Sequence, residues 1–237
     1  KLSSPTSKDI IRDGIERIVA ETCFPIKVSH GHIKELMDKG VKRIFLPSII
    51  NAAPAKPGHN FTVLCPYVQS IPYLAKSSFD FASAGVEVIA PSFHFNQDMA
   101  DIKKEFFKLD SLLNRDRRAI ENALMAAFAA QDVFKSRMLK RGEEALRALK
   151  ENETALVIVG PPYNTADSGI NLELPQRLKE LDTLAIPMDM LPVEDAIDET
   201  LGADMYWKSG QRILAAAKLI RHNKNLFAVY ITNFGCG

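Results

Sequence analysis

At 237 residues, 46% of them apolar and 25% charged, the chain has the size of one large domain or two small ones and the mix of a globular protein. That excludes disordered and collagen-like classes, and a chain this long buries enough surface to fold without a disulfide or structural metal. Thirty basic residues against 29 acidic ones leave a formal charge of +1, so no global field draws the chain to nucleic acid or to an anionic membrane.

Ile10, Ile11, Ile15, Ile18 and Val19 recur at helical spacing, with Thr6 or Ser7 placed to cap. ETCFPIKVSHGH reads as a break, and Ile33, Leu36 and Met37 as a second short helix ended by Gly40. Val41–Leu46 is a buried strand stopped by Pro47, and residues 48–60 read as a loop. Phe61–Leu64 is a short strand running into Cys65-Pro66, and Val86–Ala90 is another, stopped by Pro91. Residues 97–150 contain no proline and carry an apolar stripe through Ile120, Leu124, Phe128, Phe134 and Met138, which predicts one or two long helices. Ala155–Val159 returns to strand, followed by the loop GPPYNTADSG. A short helix near Pro175–Leu181, a strand at Leu184–Ile186, a helix over Ala203–His222 and a last strand at Leu226–Thr232 complete the chain.

Alternating strands and helices predict an α/β fold, two Rossmann/flavodoxin-like lobes with mainly parallel sheets separated by long helices. The expected division is an N-terminal α/β lobe over 1–96, a helical connector over 97–150 and a C-terminal α/β lobe over 151–237. Both ends read as cut, so a fragment of a longer polypeptide is expected. The longest apolar run, Ala123–Ala130, is far short of a bilayer span, and KLSSPTSKD lacks the apolar core of a signal peptide. With three cysteines, an odd number, no disulfide framework is expected, which points to a reduced, cytoplasmic protein.

The cysteines stand out by context. Cys23 lies in Thr-Cys-Phe-Pro, Cys65 in Leu-Cys-Pro-Tyr and Cys236 in Phe-Gly-Cys-Gly, each at a bend. Cys65 and Cys236 follow predicted strands, and open α/β sheets bind ligands beyond the carboxyl ends of their strands. Three converging thiolates would suit zinc, Cu(I) or an iron–sulfur cluster and leave one metal position open. Against this, free cysteine is among the most often buried residue types, and no CxxC pair is present. Tyr163 and Asn164 offer hydrogen bonds in a glycine-containing loop, although an ordinary strand-to-helix turn capped by Asp167 or Ser168 accounts for the same residues. His30-Gly31-His32 cannot place both rings on one helix face, so a hydrogen-bonding role is expected there in preference to a metal pair. His59, His94 and His222 are isolated. Lys135–Lys150, with six basic and two acidic residues, reads as a solvated helix face.

Taken in order, ETCFPIKVSHGHI, IFLPSI, CPYVQSIPY, GPPYN, IPMDMLP, MYWKSGQRILAAA and YITNFGCG resemble one family over nearly the whole chain. It is the 2-hydroxyacyl-CoA dehydratase-like domain of the large CoA-substrate-specific enzyme activase, or acyl-CoA dehydratase activase-related, proteins. The resemblance implies an iron–sulfur site held by Cys23, Cys65 and Cys236, either a [4Fe–4S] cluster or a bridged double cubane. It implies ATP-hydrolysing activator domains, in the same polypeptide, as electron donors, and an acyl-CoA as the candidate substrate for reduction or dehydration. The resemblance also implies that the N-terminal lobe lacks its first βα unit and that the C-terminal lobe is truncated. Phe24, Tyr67, Phe234 and Gly235 flank the cysteines and would supply the surrounding shell, while Tyr163 and Asn164 are substrate-side candidates. The alternative is a metal-free α/β module that docks or regulates activator domains, and a zinc site is a third. Iron and acid-labile sulfide content discriminates among them.

Overall fold

In the computed structural model, which describes residues 2–55, 62–198 and 205–233, the C-terminal half is organised by one strand. Strand β5, Ala155–Val159, is apolar at every position (ALVIV) and buried at all but Leu156. Such a run has no polar face to turn to water, so it takes the centre of a parallel sheet. It pairs in parallel with β6 (Leu184–Pro187) on one side and β7 (Leu226–Tyr230) on the other, giving the order β6-β5-β7. Val157, Ile186, Met188, Val193, Ile197, Ala215 and Ala216 form the core beneath it.

The N-terminal half carries two short parallel pairs. Strand β1 (Arg43–Phe45) pairs with β3 (Glu87–Ile89), and β2 (Ser48–Asn51) pairs with β4 (Ser92–His94). The two pairs follow one another along the same two chain segments. Leu46 N–H donates to the Ile89 carbonyl at 2.8 Å and Ser48 N–H to the Pro91 carbonyl at 2.8 Å, while Pro47 and Pro91 have no N–H to give. The ladder is interrupted where the prolines stand, and the predicted loop over 48–60 therefore begins with a strand. Helices α1 (Lys8–Arg17), α2 (Phe24–Asp38) and α3 (Pro66–Ser78) accompany these strands, and α1 lies along α2. Ile33, Ile44, Ala75, Phe79, Phe81 and Val86 close the core between them.

Residues 97–150 form three helices: α4 (Met99–Phe107), α5 (Asp110–Leu113) and the 32-residue α6 (Arg117–Ala148). Asn114 takes a left-handed conformation (φ 50°) after α5, and the Asp116 carboxylate caps α6 by accepting from the Ala119 N–H at 2.7 Å. Ile120 and Leu124 are buried, but Phe134, read from the sequence as part of the same stripe, is 58% exposed. The basic stretch at its end is a solvated face, with Arg141 and Arg147 paired to Glu144 and Glu143 on the exposed surface. Two short helices, α7 (Pro162–Ala166) and α8 (Leu174–Glu180), stand between β5 and β6, so the loop after β5 contains a helical turn. A 3-10 turn at Met188–Met190 follows β6, and α9 spans Lys208–Arg221.

Two readings are corrected. The stretch taken for a break, ETCFPIKVSHGH, is mostly helix, because α2 starts immediately after Cys23 with Pro25 inside its first turn, where a missing N–H costs nothing. The strand expected at Phe61–Leu64 reduces, in its described residues, to bridges made by Val63. No helix among the described residues is long and apolar enough to cross a membrane.

Candidate functional site

Cys23 and Cys65 occupy the same structural position in two different helices. Cys23 is the N-cap of α2 and Cys65 the N-cap of α3, each followed by a proline in the first turn. Thiol groups at helix N-termini sit at the positive end of the peptide dipoles, which favours the thiolate. Cys23 is buried and Cys65 half-buried, and neither forms a disulfide. Burial pushes the Cys23 thiol up, the Ile26 N–H holds it back, and the nearness of Cys65 pushes it up again. The structure thus brings these two cysteines within electrostatic reach of one another, though they lie 42 positions apart in sequence. Cys236, together with Phe234 and Gly235, lies outside the described residues, as does His59.

The Cys65 loop is fastened on both sides. Leu64 N–H donates to the Ile50 carbonyl at 3.0 Å, Gln69 Nε2 donates to the Leu64 carbonyl at 2.7 Å, and Ser48 Oγ donates to the Gln69 carbonyl at 2.6 Å. Val63 bridges Asn51 on one side and Trp207 on the other, and the Lys208 N–H donates to its carbonyl at 3.1 Å. The loop that carries Cys65 is therefore held between β2 and the start of α9.

A second contact joins the two halves of the chain. Thr6 Oγ1 donates to Asp167 Oδ2 at 2.6 Å. A hydroxyl has one hydrogen, so its contact with His32 Nε2 at 3.0 Å is one in which the imidazole N–H donates. His32 Nδ1 is buried without a partner among the described residues. Burial holds the His32 imidazole below its ordinary range, against the pull of Asp167 and Glu35. His30, two positions away, donates from Nδ1 to the Ile26 carbonyl at 2.8 Å and stacks on Phe79. The two imidazoles serve different contacts.

Asn164 is 1% exposed and lies at the carboxyl end of β5. Its Nδ2 donates to the Ile231 carbonyl at 3.3 Å, and its Oδ1 accepts from Asn233 Nδ2 at 2.8 Å. It therefore ties down the segment leaving β7, which runs on toward Cys236. Tyr163 is half-buried beside it. Sequence reasoning missed the polar network below: Thr165 Oγ1 donates to Asp189 Oδ2 at 3.1 Å, Arg212 Nη2 donates to Asp189 Oδ1 at 2.6 Å, and Arg212 Nε pairs with Glu194 at 3.0 Å. The available signal was position, since Thr165, Asp189 and Glu194 all follow strand ends.

A cavity of about 640 Å³ opens beside α6, lined by Phe95, Phe106, Ile120, Leu124 and Phe128 with Arg115 also on its wall, and no cysteine lines it. Among the described residues no group of three or more His, Cys, Asp or Glu is placed to hold a metal ion. Two soft thiol donors at adjacent helix starts fit the chemistry of an iron–sulfur or zinc centre that draws further ligands from elsewhere.

No curated protein and no solved structure matches the chain. One family model does, over residues 1–191, which span α1 through the turn after β6. The chain belongs to the family described as the CoA enzyme activase uncharacterised domain (DUF2229).

Proposed function

We propose that the chain is an iron–sulfur redox domain of a CoA enzyme activase-type protein, with Cys23, Cys65 and Cys236 as cluster ligands. It takes electrons from ATP-hydrolysing activator domains and serves the reduction or dehydration of an acyl-CoA. The observation that supports this reading is the pairing of Cys23 and Cys65 as N-caps within electrostatic reach. When bound, a [4Fe–4S] cluster or bridged double cubane would supply low-potential one-electron transfer.

The chain's own residues have definite tasks. The first-turn amides of α2 and α3 offset the negative charge of ligating thiolates. The Cys23 side chain sits where water is largely excluded, which tunes the reduced state of a cluster. Gln69 and Ser48 hold the Cys65 loop, and Asn164 fixes the course of the segment that leads to Cys236. Tyr163 and Asn164 remain the substrate-side candidates, with Asn164 engaged through both ends of its carboxamide.

The metal-free docking module is favoured by a different observation. Met125, Val133 and Phe134 on α6 are each about half exposed (46%, 50% and 58%), more apolar surface than a solvated helix needs. Anaerobic reconstitution with iron and sulfide, followed by iron and sulfide counts and EPR of the reduced sample, separates the readings. A cubane signal that is lost in Cys23→Ser and Cys65→Ser supports the redox domain. Zinc without labile sulfide, or no metal in either this chain or the intact polypeptide, overturns it.

A further inference from the structure

Lys208 opens α9 and is 8% exposed. A charged side chain so deeply buried is normally paired, because an isolated buried ammonium is costly. Among the described residues its ammonium has no hydrogen bond and no ion pair but is not sealed from water, and Glu194, the acid whose charge reaches it, is already paired. Asp189 accepts from Arg212 and Thr165, and Glu194 pairs with Arg212. Burial pushes the Lys208 amine down to about 8, Glu194 opposes that, and Arg212 and Lys135 add to it. Even so lowered, the group is predominantly protonated at neutral pH.

The position adds a second argument. Helix α9 runs back toward the start of β7, so its first turn stands at the carboxyl edge of the parallel sheet, beside the loops after β5 and β6. That edge is where sheets of this kind bind ligands. Trp207, the N-cap, provides no side-chain cap, and the Lys208 N–H is taken by the Val63 carbonyl at 3.1 Å, so among the described residues it is the Ser209 and Gly210 amides of the first turn that are left without a partner. A partial positive charge from the peptide dipoles and a full one from Lys208 thus meet at one place, with Lys135 of α6 adding a third source.

We propose that Lys208 and the uncapped first turn of α9 form an anion-binding site at the carboxyl edge of the β6-β5-β7 sheet, which takes a phosphate or carboxylate group of a small-molecule ligand. The site does not depend on the cysteines. Arg212, consumed by Asp189 and Glu194, is a support for this site and not its anion ligand. The lysine is left uncompensated within the chain because the ligand supplies the compensating charge.

The test uses the full chain with lysine side chains labelled for NMR, the Lys208 signal being the one that disappears in Lys208→Met. Inorganic phosphate and acetate are the two probes. The expected result is a saturable shift of the Lys208 signal and a rise of its titration midpoint, since an anion stabilises the charged form. A response to phosphate alone assigns a phosphate ligand, and an equal response to acetate assigns a carboxylate. Lys208→Met should weaken binding by about tenfold or more, the usual consequence of losing a charged hydrogen-bond partner. The proposal is overturned if neither probe shifts Lys208 saturably, or if exposed lysines such as Lys150 shift as much. Binding that survives Lys208→Met unchanged also overturns it. Should that variant fail to fold, Lys208→Arg, which keeps the charge but removes the lysine signal, supplies the assignment and the wild-type titration decides. Iron and sulfide content, which tests the cluster reading, is expected to be the same in both proteins, so the two ideas fail separately.

Discussion

Asn164 and Asn233 are joined side chain to side chain, with Asn233 Nδ2 donating to Asn164 Oδ1 at 2.8 Å, 69 residues apart in the chain. The same Asn164 carboxamide donates its own hydrogen to the Ile231 carbonyl. Removing it leaves that carbonyl and the Asn233 amide to find other partners. Asn164→Ala is expected to cost about 1–3 kcal/mol, the range for unpairing buried polar groups. Hydrogen exchange at the end of β7 should rise with it. Unchanged stability in denaturant would show that the segment beyond β7 is held by something else.

Much of this arrangement was legible in the sequence, and the reasons differ by element. ALVIV at β5 and LFAVY at β7 announce strands, because strand-forming apolar runs bounded by polar or turn residues have few other homes. The start of α2 was hidden because Cys23-Phe-Pro looks like a stop, while proline is equally at home in a first helical turn. The bends around the three cysteines suggested a set from the sequence, but only the fold shows that Cys23 and Cys65 share the N-cap position. Lys208 and the Thr165–Asp189–Arg212–Glu194 network were not legible at all. Their members are single polar residues scattered over several elements, and no local pattern joins them.

The burial of His32, which outweighs the opposing pull of Asp167 and Glu35, should make stability depend on pH. The imidazole is held below its ordinary range in the folded chain, so between the folded and unfolded values the unfolded chain binds more protons. Its contribution is present above the unfolded value near 6.5 and is lost as pH falls through the folded one. Glu35, held down to about 2 by Lys39 and Ser4, stays ionised throughout that window. Melting temperature should therefore drop on acidification below about pH 6.5, and less steeply in His32→Gln. Parallel pH profiles for the two proteins would remove His32 from the account.

The buried Lys208 predicts a variant that gains stability while losing a site. Replacing it by methionine keeps the apolar stem and removes a charge that burial disfavours. With the amine lowered from 10.5 to about 8, Lys208→Met should stabilise the chain at pH 7 by about 1–3 kcal/mol in the absence of bound anion. The sign has a signature. Wild type regains stability relative to the variant as pH rises from about 8 toward 10.5, because only the unfolded chain then holds the proton. A destabilised variant with no such convergence would indicate that the ammonium has a partner in the folded chain.

Two glycines, Gly31 in the middle of α2 and Gly40 just past its end, separate packing from backbone strain. Gly31 lies against α1 so closely that an added Cβ would stand 1.8 Å from the Ile10 carbonyl oxygen. That neighbour is backbone and cannot swing aside, so α1 and α2 must part. Gly31→Ala is expected to cost several kcal/mol, about 3 or more, toward the upper end for overpacking. Since His32 is the next residue, the variant should also disturb the Thr6–Asp167 contact. Gly40 meets nothing within 4 Å but holds φ at +68° after the helix, so Gly40→Ala pays only for the left-handed backbone, about 1 kcal/mol. Denaturant midpoints of the two variants rank the effects directly. Equal losses would mean that α1 moves away from α2 freely, and that the tight seam between them contributes little to the stability of the N-terminal half.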